Sequence, residues 1–150
     1  MTRSEEIREI NKCFHDPFYF MRQLKIRTVK YGMVSFDLYE FQKQFCQSVF
    51  RNTYLVSLKP RQMGITTVMC GLALWYATFY PGSVIIVISL KHSVSKGFIR
   101  KMRAMYASLP EYLKPRIING TKADSFGTQD FVHFANNSEI HALPSTEEDV

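Results

Sequence analysis

The chain has 150 residues, 46% of them hydrophobic and 14% aromatic, which gives one domain enough apolar surface for a core and argues for globular packing, not disorder. A net charge of +6 favours acidic partners, and three cysteines far apart, Cys13, Cys46 and Cys70, argue against a disulfide framework or metal knuckle and for a reducing compartment. The charged N-terminus reads as no secretory signal, and the apolar run 65–80 ends at Pro81-Gly82, short of the ~20 residues a membrane helix requires.

In chain order, Thr2-Arg3-Ser4-Glu5 has the form of a capping box and predicts a helix to about Phe14. Asp16-Pro17 starts a second, short helix. Segments 25–29 and 33–38 flank Lys30-Tyr31-Gly32 and predict a hairpin. Phe41, Phe45, Val49 and Phe50 recur at helical spacing across 40–50. A β-rich run, 53–58, then reads as a strand, followed by a polar loop and a helix over 65–80 buried on most of its faces. Val84-Ile85-Ile86-Val87-Ile88 is a continuous apolar run, the signature of a strand covered on both faces.

A helix over 92–109 follows, with Val94, Phe98, Met102, Met105 and Leu109 inward. Residues 110–126 read as irregular, and 131–134 with 139–143, around Asn136-Asn137, as a second hairpin. Strands alternating with helices predict an α/β fold with a parallel core.

The loop at 59–67, Lys-Pro-Arg-Gln-Met-Gly-Ile-Thr-Thr, carries the chemistry. Strand, polar loop, then helix is the layout of a phosphate-binding loop, whose usual text is G-x-x-x-x-G-K-[ST]. Gly64 and Thr66 stand at the second glycine and the hydroxyl, Ile65 at the lysine, and Lys59 at the first glycine. An ammonium on a four-carbon stem can reach a phosphate from either end of a short loop. Gly64 then permits close approach of an anion, and the helix from Ile65 offers unpaired N–H groups. Thr66 supplies a hydroxyl for Mg2+, with Thr67 as the weaker substitute, and Lys59 and Arg61 supply charge. K-x-x-x-x-G-x-T is a loose pattern, so an exposed basic loop with an ordinary turn glycine fits it about as well.

The surrounding text resembles a known family, the large terminase subunit of tailed bacteriophages, the ATPase that packages DNA into a procapsid. The matching blocks are Asp16-Pro17-Phe18-Tyr19-Phe20, Leu38-Tyr39-Glu40-Phe41-Gln42, Arg61-Gln62-Met63-Gly64-Ile65-Thr66-Thr67, Leu109-Pro110-Glu111-Tyr112-Leu113-Lys114-Pro115 and Asn136-Asn137-Ser138-Glu139-Ile140. They follow the family's order and cover most of the chain. The departure is Ile65, where many terminases carry lysine; some place it at the loop's start, where Lys59 stands.

The resemblance implies an incomplete P-loop NTPase core of RecA-like (ASCE) type over 39–150, preceded by a helical and hairpin lead-in over 1–38. It implies ATP and Mg2+ as cofactors, Lys59 and Arg61 in catalysis, and Gln42, Arg61, Gln62, Met63, Gly64, Ile65, Thr66 and Thr67 around the nucleotide, with Gln42 reading adenine through its amide. Double-stranded DNA, a portal or procapsid and a small terminase subunit are the implied partners, with a homo-oligomer at full length and no membrane. The implied location is the host cytoplasm, outside the mature virion.

Hydrolysis by this class needs an apolar strand ending in Asp-Glu, to hold Mg2+ and polarise the attacking water. The sequence has none: Glu147-Glu148-Asp149 follow Pro144-Ser145-Thr146 and read as a solvated loop. The chain is therefore expected to be a hydrolysis-deficient piece of a motor, without the nuclease domain. In the family's sheet the acid-bearing strand lies between 53–58 and 84–89, so both are expected to expose apolar faces, with marginal stability as the result.

Between Lys91 and Arg116 there are seven basic residues and one acid, against one lysine and six acids from Thr121 to Val150. The basic block suits a DNA backbone, although Arg100, Lys101 and Arg103 equally suit the wet face of an amphipathic helix. His15, His92, His133 and His141 lack metal-ligand spacing, and Ser89 with Lys91-His92-Ser93 reads as a switch loop or a plain connection. Two alternatives stay open: a helicase-like nucleic-acid-dependent ATPase, and a non-catalytic nucleic-acid or protein-binding module.

Overall fold

The computed structural model describes residues 1–119 and 127–145, so Glu147-Glu148-Asp149 and the last part of the irregular 110–126 stretch lie outside the described residues. The described fold is mixed α/β, with five α-helices and two small sheets.

Helix α1 (Arg3–His15) opens on the expected capping box: the Thr2 hydroxyl accepts from the Glu5 N–H and the Glu5 carboxylate from the Thr2 N–H. Asp16 breaks the helix and caps α2 (Pro17–Gln23), its carboxylate accepting from the N–H groups of Phe18 and Tyr19. Proline at the first helical position forfeits only an N–H that has no partner there anyway. Strands β1 (Lys25–Thr28) and β2 (Gly32–Ser35) form the predicted antiparallel hairpin, with Ile26 opposite Val34. Its turn closes through Gly32 at φ +69°, a left-handed conformation that favours glycine. The Lys25 N–H donates to the Ser108 hydroxyl, which ties the hairpin to the later half of the chain.

Helix α3 (Glu40–Arg51) turns part of the predicted stripe inward, with Phe45 and Val49 packed against the core. Gln42 and Cys46 are buried, while Phe41 and Phe50 stay partly exposed, Phe41 stacked on Tyr39 and Phe50 edge-on to the buried Trp75. Helix α4 (Ile65–Phe79) is the centre of the molecule, buried from Cys70 through Trp75. Its Trp75 indole N–H donates to the Cys13 carbonyl across 62 positions, so α1 and α4 lock together. Side chains from the lead-in (Cys13, Phe20, Met21, Leu24, Phe36) share one core with α4 and with α5 (His92–Ser108).

The second sheet runs in the order β3 (Val84–Ser89), β5 (Glu139–Pro144), β4 (Phe131–His133). β3 and β5 are parallel, with Ile85 opposite Ile140 and Val87 opposite Ala142, and β4 closes the predicted hairpin antiparallel to β5. Helices α4 and α5 pack on the face formed by Ile85, Val87, Ile140, Ala142 and Val132.

Three further expectations need correction. Segment 53–58 is no strand: it runs without a ladder partner, and Tyr54, Val56 and Leu58 are 91%, 97% and 102% exposed. A β-rich sequence becomes a strand only beside another strand, and β3 already pairs with β5 alone among the described residues. Nor is β3 covered on both faces, since Val84, Ile86 and Ile88 are 61%, 55% and 64% exposed. Val94, expected inward on α5, is exposed as well, beside this open side of the sheet. Both 53–58 and β3 thus carry the exposed apolar surface expected of them.

Candidate functional site

The loop between α3 and α4 changes backbone hand twice. Gln62 has φ +64° and Gly64 φ +71°, ψ 11°, with Met63 between them. Alternation of this kind turns successive N–H groups toward one side and is a recurrent anion-binding geometry. Gly64 is the N-cap of α4, and its carbonyl accepts the first helical bond, from the Val68 N–H at 3.1 Å. Among the described residues, the N–H groups of Gly64, Ile65, Thr66 and Thr67 find no acceptor. These are the unpaired donors that every helix start leaves, here with the positive end of a 15-residue helix dipole behind them.

Gly64 is required twice over. Its φ lies where side chains are strained, and a Cβ built there would stand 2.9 Å from the Gln42 amide nitrogen. Gln42 is 4% exposed and bonded at both ends: its amide donates to the Met63 carbonyl at 3.0 Å and accepts from the Tyr39 N–H at 3.0 Å. The side chain thereby latches the loop to the start of α3, keeping one N–H and one lone pair for a further partner. Tyr39 and Phe41 stack beside it, centroids 5.8 Å apart and planes 8° from parallel, with Tyr39 largely exposed.

The other candidate residues divide into two groups. Ile65 turns inward, 9% exposed, so the position that carries lysine in the usual pattern contributes to the core and not to the anion side. Lys59, Arg61 and Gln62 are exposed, and no described residue holds the two cationic groups against the loop. Thr66 is exposed with its hydroxyl uncommitted, whereas Thr67 accepts a hydrogen bond from the Lys101 ammonium at 3.2 Å. Thr66 is thus the hydroxyl available to a divalent cation.

Lys101 is the residue that sequence reasoning missed. It was counted with the basic block, yet it reaches from α5 to the first turn of α4 and delivers a cation beside the unpaired N–H groups. The contact spans 34 positions and no local pattern announces it. Ser89, at the end of β3, joins the same neighbourhood, lining with Ile65, Thr66, Ser95 and Phe98 a groove of about 400 Å3. Its hydroxyl donates to the Lys91 carbonyl at 2.7 Å, which fixes the turn between β3 and α5.

Burial pushes the thiols of Cys13 and Cys70 up to about 12 and that of Cys46 to about 11, so none is a nucleophile near neutrality. His133 and His141 converge on Glu139, at 3.9 and 2.9 Å, but among the described residues no group of His, Cys, Asp or Glu could hold a metal ion. No helix among the described residues is long and apolar enough to cross a membrane. No protein-family model matches the chain.

Proposed function

We propose that the 59–67 loop binds the triphosphate of ATP, and that the chain is the nucleotide-binding part of a viral DNA-packaging motor of the large terminase kind. The observation that carries the nucleotide reading is the row of unpaired N–H groups at Gly64–Thr67, behind a left-handed glycine that leaves no room for a Cβ. Those groups suit phosphate oxygens by charge and direction. Mg2+ fits the same place, with the Thr66 hydroxyl as the protein ligand and charge neutralisation between phosphates as its contribution.

Charge is supplied by three side chains. Lys101 stands at the helix start, and Lys59 and Arg61 lie on the exposed approach, from which each can fold over a bound phosphate. The Tyr39–Phe41 pair offers a base a flat face, next to Gln42, whose amide is buried and held by the loop. The P-loop NTPase assignment, DNA translocation, the procapsid partners and the host-cytoplasm location rest on the sequence blocks resembling terminases. No Asp or Glu occurs from residue 51 to residue 110 of the sequence, so hydrolysis at this loop requires acids from elsewhere.

A second reading, a non-catalytic nucleic-acid or protein-binding module, is favoured by the inward Ile65 and by the exposed 53–58 segment. A fluorescent ATP analogue with Mg2+ separates the two. The wild type binds it, and Lys59→Ala weakens binding by about tenfold, the loss of one charge-assisted phosphate contact. Absence of binding in the wild type leaves the module reading in possession.

A further inference from the structure

Helix α5 carries its cations on separate sides. Lys101 turns to α4, while Lys96, Arg100 and Arg103, spaced four and three residues apart, form a stripe along a groove of about 320 Å3 that Ser93, Gly97 and Gln129 complete. The helix has no acidic residue in its sequence, and among the described residues neither Lys96 nor Arg100 makes an ion pair. Arg103 is partly engaged, its guanidinium reaching the Thr128 carbonyl at 3.4 Å.

Gly97 is an independent indication. Glycine within a helix costs stability relative to any ordinary side chain, so its presence calls for a reason. Among the described residues packing does not supply one, because a Cβ at Gly97 would meet only the tip of Arg100, at 3.9 Å. What the glycine does is keep the groove floor bare between the cations.

We propose that this groove is a docking track for the phosphodiester backbone of nucleic acid, separate from the nucleotide loop. A point anion such as free phosphate is best held by donors converging on one spot. Here the stripe from Lys96 to Arg103 spans seven residue steps, roughly 10 Å at the rise of an α-helix, which is about three base pairs of rise along a duplex axis. A linear polyanion therefore fits, and sequence selectivity does not follow from such contacts. The inference rests on the motor reading only for naming duplex DNA as the physiological polymer.

The test measures duplex binding of the whole chain, without nucleotide, as a function of salt. The double variant Lys96→Gln/Arg100→Gln removes two phosphate contacts and lowers the slope of log K against log[salt] by about 2. The control Arg27→Gln/Lys30→Gln changes net charge equally on the exposed hairpin and leaves the slope as it was. Gly97→Leu keeps the charge, improves helix propensity and fills the floor; it weakens DNA binding while raising the melting temperature. Equal slope changes in the two double variants, no change in either, or displacement of DNA by inorganic tripolyphosphate at matched phosphate concentration each overturn the proposal. The Lys96→Gln/Arg100→Gln protein binds the ATP analogue like wild type, so failure here and failure of the nucleotide loop register separately.

Discussion

At the scale of single residues, the pairing of Gly64 with Gln42 decides whether the loop keeps its form. Replacing Gly64 by alanine places a Cβ in the left-handed region, at a cost of about 1–2 kcal/mol. It also drives the new carbon into the Gln42 amide and breaks a buried hydrogen bond, worth about 1 kcal/mol more. The two costs are separable. In a Gln42→Ala background only the backbone term remains, so the Gly64→Ala loss measured by urea unfolding shrinks by about 1 kcal/mol. Additive losses in the double variant would show that Gln42 does not hold the loop.

Among the elements, α5 joins the two proposed sites, and Lys101 tests whether its exposed contact with α4 serves the nucleotide. Lys101→Met keeps the aliphatic stem and removes the ammonium beside Thr67. The ATP analogue then binds about tenfold more weakly, as loss of one charge-assisted contact implies, while duplex binding falls only by the share of one charge. An unchanged affinity for the analogue would return Lys101 to the role of a surface tether between helices. Sequence pattern was a good guide where a signal is local. The Thr2–Glu5 capping box, the Asp16-Pro17 helix start, the Gly32 turn and the break at Pro81-Gly82 all depend on neighbours within a few positions. It failed where the outcome depends on distant partners. Segment 53–58 has strand composition but no ladder to join, the β3 run looks doubly buried but is covered on one face, and the solvent-exposed bond from Lys101 to Thr67 forms only once α4 is placed against α5. The candidate loop lies between these cases: its glycine and threonines were legible, and the inward turn of Ile65 was not.

For the molecule as a whole, the open sheet face is the weak point. Val84, Ile86, Ile88 and Leu143 form a row of exposed apolar side chains at and beside an edge strand, and Tyr54, Val56 and Leu58 add a second exposed apolar stretch. Edge strands are usually protected by charge, proline or a bulge, and β3 carries no charge or proline along its length. Exposed apolar surface of this kind drives association, so the wild type forms concentration-dependent oligomers by sedimentation and unfolds over a broad range. Ile86→Thr/Ile88→Thr retains β-branched side chains suited to a strand while making the open face polar. Because neither side chain is deeply buried, the double variant keeps the wild-type helical content but stays monomeric and more soluble. A wild type that is already monomeric at high concentration, with a single sharp unfolding transition, would mean that the open face is tolerated and that the α4–α5 core alone stabilises the fold.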